Sequence, residues 1–78
     1  MTLEEFKSLP FTFVSHISME DEHVSIYENK LYGITAGVSV PYMHGSPHAK
    51  SRTVYVWNGE KYRSANDLLN AINKNEAL

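Results

Sequence analysis

From Leu31 to Val40 the chain alternates without a break. Tyr32, Ile34, Ala36, Val38 and Val40 fall on one side, and Leu31, Gly33, Thr35, Gly37 and Ser39 on the other. A period of two marks a half-buried strand, whereas a helix repeats its apolar residues every three or four positions. One side is so plainly apolar that the strand must sit in a sheet covered there, with its register fixed by that burial. The two glycines of the opposite side predict a bulge, a bend or a close neighbour, and a bulge would flip the register beyond it.

The other elements arrange themselves around this strand. Asn29-Lys30 predicts a tight turn leading back to a strand over His23–Glu28, with Val24 and Ile26 on one side. Glu20-Asp21-Glu22 is a charged turn, and Phe11–Met19 a further strand with Phe11, Phe13, Ile17 and Met19 sharing a face. Downstream, Thr53–Trp57 and Glu60–Arg63 flank Asn58-Gly59, the strongest short hairpin signal available. A two-residue turn there pairs Trp57 with Glu60, Val56 with Lys61 and Tyr55 with Tyr62. The hairpin then has an aromatic face (Tyr55, Trp57, Tyr62) and a mixed face (Val54, Val56, Lys61, Arg63).

A helix is expected at each end. Thr2-Leu-Glu-Glu5 fits a capping box, Leu3, Phe6 and Leu9 make a short apolar stripe, and Pro10 ends it. Ser64, with Asp67 three residues on, caps a second helix whose stripe is Ala65, Leu68, Leu69 and Ile72. Asn66, Asn70, Asn73 and Lys74 face outward, and Glu76–Leu78 are expected to fray. The expected fold class is therefore α+β. A single compact domain over residues 1–78 holds an antiparallel sheet of about five strands, a short N-terminal helix and a C-terminal helix packed on one face. Strand order and the buried face of the hairpin are left open by alternation alone.

Seventy-eight residues bury only about 60–65 % of the surface that the unfolded chain exposes, so each large side chain matters. Without cysteine, neither a disulfide nor a thiolate metal site can staple the domain. No signal-peptide pattern or long apolar run is present, and a cytoplasmic protein away from membranes is expected.

Charge is segregated despite a formal net charge of −2. Glu4, Glu5, Glu20, Asp21, Glu22 and Glu28 precede a middle segment with Lys30, Lys50, Arg52, Lys61 and Arg63. Such placement can create a local anion-attracting face, although a solvated surface explains it as well.

Few residues suggest chemistry. His44 and His48 have an H-x-x-x-H spacing, but Gly45-Ser46-Pro47 between them opposes the helix that would align them, and no glutamate stands nearby. His16 and His23 can converge across the first hairpin, which makes an incidental metal site more readily than an evolved one. No serine lies in a nucleophile-elbow context, and Gly45-Ser46 lacks the features of a phosphate loop. No catalytic residue, metal or cofactor is expected, and the chain is not expected to be an enzyme.

For function, the informative stretch is Pro41–Arg52, which lies between two strands. Hairpin connections usually run to about two to five residues, and long loops in small domains are often functional. Tyr42, Met43, His44, His48, Lys50 and Arg52 combine apolar contact area with cationic anchors, and Tyr, Met and Arg are enriched at interface cores. The expected function is a non-catalytic protein-binding module with a partner of unknown identity. A small inhibitor or adaptor acting by steric blocking fits, for example a phage-type inhibitor of a host or defence protein. A sheet edge also offers homodimerisation by strand addition.

The alternative is nucleic-acid binding through Lys50, Arg52, Tyr55, Trp57, Lys61, Tyr62 and Arg63. Outward-facing aromatics there would stack on bases beside the cations. In so small a domain, three large aromatics more often form core. The stretch from Thr53 to Ser64 with Asn66–Ile72 also resembles the hairpin-plus-helix of small RAMA-type domains, chiefly through Gly59, Tyr62, Arg63, Ser64 and Ile72. That resemblance implies contact with DNA or a place in DNA-modification systems.

Overall fold

The computed structural model describes residues 1–41 and 51–76. The elements run α1 (Leu3–Lys7), β1 (Thr12–Ser18), β2 (Glu22–Asn29), β3 (Ile34–Pro41), β4 (Arg52–Trp57), β5 (Glu60–Tyr62) and α2 (Ala65–Glu76). The five strands form one antiparallel sheet in the order β1-β2-β3-β4-β5, each strand beside its neighbour in sequence. This is the α+β domain that the hydrophobic pattern predicts.

Paired residues of an antiparallel sheet share a face, so the register assigns every side chain. The row Tyr27–Ala36–Tyr55–Tyr62 marks the inner face. There Ile34 and Ala36 of β3 are buried, and Phe6, Ile34, Leu68, Leu69 and Ile72 form the core. Tyr55, Trp57 and Tyr62 pack against that core. Phe6 meets Tyr55 edge to face with ring centroids 5.4 Å apart, and the Trp57 indole N–H donates to the Tyr32 carbonyl at 3.1 Å. Burying the aromatic face of the β4–β5 hairpin removes more apolar surface from water than burying Val54 and Val56 would.

Local signals explain the ends of the elements. Thr2 Oγ1 accepts the Glu5 N–H at 3.1 Å and Glu5 Oε1 accepts the Thr2 N–H at 3.2 Å, completing the capping box. Ser64 Oγ accepts the Asp67 N–H at 3.1 Å at the start of α2. Asn58 and Gly59 have φ of 51° and 79°, the doubly left-handed turn that matches strand twist. The register around it is the expected one.

Three expectations need correction. The β2–β3 connection is not a two-residue turn at Asn29-Lys30. Asn29 pairs with Ile34, residues 30–33 make the turn, and β3 begins at Ile34. The reason is the Asn29 side chain, which is only 2 % exposed. Its amide donates to the Pro10 carbonyl at 3.0 Å and its Oδ1 accepts the Tyr32 N–H at 2.9 Å.

In β1, Phe11, Phe13, Ile17 and Met19 do not share one face. A bulge at Val14 shifts the register, so Phe13 pairs with Tyr27 and Ser15 with Ile26. Phe13 therefore stands on the inner face against Tyr27 (ring centroids 5.8 Å), and Ile17 on the other, opposite Val24. Finally, Glu76 belongs to α2, and the Met1 amino group lies 2.8 Å from Asn73 Oδ1 and 3.5 Å from Glu76 Oε2. Asn73 is exposed, as expected, and its side chain also ties the helix to the first residue.

The molecule is long, 48 × 22 × 22 Å, with a radius of gyration of 14.0 Å, against about 11–12 Å for a globular domain of this length. The helix α2 lies against β4, β5 and α1 rather than across the whole sheet, and every residue of β1 is exposed. Among the described residues no helix is long and apolar enough to cross a membrane.

Candidate partner-binding face

The second face of the sheet is built by the same alternation that buries the first. Its central row is Ser15–Ile26–Gly37–Val54, and the flanking rows are Glu28–Thr35–Val56–Lys61 and Ile17–Val24 with Ser39–Arg52. Neither helix lies on it, because both contribute to the core on the opposite side. Val24, Ile26, Val54 and Val56 are half-buried by their neighbours within the sheet, and Ile17 is 46 % exposed. An apolar band thus crosses several strands without a helix over it. Monomeric proteins rarely display large contiguous apolar patches, and those present usually mark interaction sites.

Charge on this face is divided. Glu22 and Glu28 stand on β2; the Ser39 hydroxyl donates to Glu22, and Lys30 lies 3.9 Å from Glu28. Arg52 and Lys61 stand on β4 and β5, and Arg63 follows the end of β5. Arg52, Val54 and Arg63 line a shallow cleft of about 610 Å³ together with Ser51 and Thr53. The cleft brings together two of the basic residues of the middle segment, Arg52 and Arg63.

The expected stacking platform is not formed. Tyr55, Trp57 and Tyr62 pack against the core, while Arg52 and Lys61 belong to rows of the other face. A β-strand sends adjacent side chains to opposite faces, so aromatics and cations that alternate in sequence end on opposite sides of the sheet. Of the expected partner-contacting loop, Arg52 opens β4, whereas Tyr42, Met43, His44, His48 and Lys50 lie outside the described residues.

The two remaining histidines do converge. His16 Nε2 lies 2.8 Å from His23 Nδ1, and Ser18 Oγ lies 3.2 Å from that same nitrogen. The ring centroids are 4.8 Å apart with planes 23° from parallel, about what an in-line N–H···N bond between two imidazoles requires. Which ring donates depends on the tautomer of each imidazole. Among the described residues no group of three or more His, Cys, Asp or Glu is placed to hold a metal ion.

Sequence reasoning identified Arg52, Lys61 and Arg63 but passed over Ile17, Val24, Ile26 and Gly37. The signal that could have found them is the polar-side register of β3, since Gly37 stands among residues that must flank it. Comparison with protein-family models, curated proteins and solved structures found no match. The resemblance to RAMA-type units therefore rests on the local residues that suggested it.

Proposed function

We propose that this chain is a non-catalytic protein-binding module, an inhibitor or adaptor that acts by sterically blocking or bridging a larger partner. One observation carries the reading: an apolar sheet face, crossed by Ile17, Val24, Ile26, Val54 and Val56, that neither helix covers. Apolar area of this kind supplies affinity when a partner removes it from water, and the cations at its rim supply orientation. Tyr42, Met43, His44, His48 and Lys50, from the connection between β3 and β4, are kept in the proposed contact surface for their residue types. A cytoplasmic setting and a phage-type inhibitor of a host or defence protein are parts of the same proposal, suited to a short cysteine-free chain.

Nucleic-acid binding is the second reading, favoured by Arg52 and Lys61 sharing one face and by Arg63 lining a cleft with Arg52. It would be led by phosphate contacts, and such binding falls steeply with salt. Affinity capture from lysate, with and without nuclease, separates the two readings when wild type is compared with Val54→Lys/Val56→Lys. A discrete partner that survives nuclease and moderate salt and is lost in the double variant is the expected result. Capture that disappears with nuclease, or is indifferent to the double variant, overturns the protein-binding face.

A further inference from the structure

Two features of the open face point to the same occupant. The first is Gly37 at its centre. Gly37 does not adopt a left-handed backbone, and a Cβ there would meet Ile26 Cδ1 at 3.8 Å and the Val54 carbonyl at 3.9 Å, ordinary contact distances. Glycine inside a strand costs stability and commonly marks close approach by another backbone or a ligand. Among the described residues nothing makes that approach, which leaves room at Gly37 for the backbone of a partner.

The second feature is charge. Glu28 stands on β2, and Lys61 stands in the same row on β5 with Thr35 and Val56 between them. Three strand spacings, about 14 Å, separate them, too far for an ion pair within one chain. A two-fold axis lying along β3 in the plane of the face lays β2 of one copy over β4 of the other. That rotation brings Glu28 of each copy to the Val56–Lys61 end of its mate and Ile26 over Val54. Gly37 meets Gly37 at the centre. A face that is acidic on one half and basic on the other, with an apolar middle, is complementary to itself under this operation.

We infer that the open face closes on a second copy of this chain, giving a symmetric sandwich of two five-stranded sheets with Gly37 at the dyad. The sheets then pack about 10 Å apart, with their strands roughly aligned. This rests on the docking-face reading above and names its occupant.

Sedimentation equilibrium of the full chain, read beside thermal melts and circular dichroism, tests the inference. Wild type is expected to dimerise at submillimolar concentration or below. Gly37→Val should give a folded monomer at least as stable as dissociated wild type, because valine suits a strand better than glycine. Glu28→Lys or Lys61→Glu alone should weaken the dimer by about tenfold or more, through like charges facing across the dyad. The double variant Glu28→Lys/Lys61→Glu should recover the affinity, and within one chain these side chains cannot rescue each other. A wild-type chain that stays monomeric overturns the inference, as does a dimer indifferent to Gly37→Val, or charge reversals without rescue. If wild type is monomeric yet Val54→Lys/Val56→Lys still loses a captured protein, the docking face stands and the homodimer falls.

Discussion

At the scale of single residues, Asn29 does more than its place near a turn suggests. A buried polar side chain is tolerated only when its hydrogen bonds are made. Asn29 makes one as donor and one as acceptor, tying Pro10 ahead of β1 to Tyr32 in the β2–β3 turn. Asn29→Ala leaves the Pro10 carbonyl and the Tyr32 N–H without these partners and should cost about 1–3 kcal/mol. Asn29→Asp keeps the acceptor for Tyr32 but sets a carboxylate against the Pro10 carbonyl, so its penalty at neutral pH should be larger. Burial beside a carbonyl raises the folded-state carboxyl pKa, and the protonated acid can donate to Pro10. The Asp deficit should therefore shrink as pH falls toward the unfolded value of about 3.9. Urea denaturation across pH measures both variants, and an Asn29→Ala midpoint equal to wild type would remove the side chain from the folding account. An asparagine followed by lysine looks like a turn in sequence because turn propensity is local, whereas its two partners are set by tertiary packing.

At the scale of elements, hairpin and helices were legible while the β1 faces were not, and physical cause separates the two. The Asn58-Gly59 turn and the caps at Thr2 and Ser64 depend on neighbours within three residues, so the sequence states them almost directly. Which face of β4 is buried depends on where α2 lands, and that is a property of the whole sheet. The Val14 bulge has no glycine to announce it; the glycines that suggested a bulge lie in β3 and its turn. Of the candidate site, the cations were legible and the apolar band was not, because Val24, Ile26, Val54 and Val56 share a face only once strand order and register are known. The turn itself yields a sharp expectation. Gly59 holds φ of 79°, a conformation that costs an L-residue about 1–2 kcal/mol. Gly59→Ala should lower stability by that amount, whereas the same change at Gly37, where no left-handed backbone is required, should not. Thermal melts of the two variants at dilution make the comparison, and equal losses would contradict the distinction.

At the scale of the whole molecule, an elongated sheet with its core at one side should not open as one rigid unit. Ile34 and Ala36 are buried between the sheet and the helical layer, so exposing the amides of β3 means dismantling the core. The strand β1 is exposed at every residue, is paired on one side only, and carries a bulge. Detaching it loses one ladder of hydrogen bonds and little apolar burial, which places it at the low end of local opening energies. Global stability for a chain of this length is expected at roughly 4–12 kcal/mol, and only β3, β4 and α2 should report that full value. Native-state hydrogen exchange by NMR, at a dilution where the chain is monomeric, should show Ser15–Ser18 exchanging through local openings insensitive to low denaturant. Amides of residues 34–38 should instead exchange through openings whose free energy falls with denaturant as the global transition does. Equal protection in β1 and β3 would mean that the edge is held by more than its pairing with β2, and the sheet would then have to be treated as a single cooperative unit. The expected gradient would have a functional meaning. Of the apolar band, Gly37, Val54 and Val56 lie on β3 and β4, which the core backs from behind, so a partner meets them on a preformed surface and little ordering entropy opposes its docking.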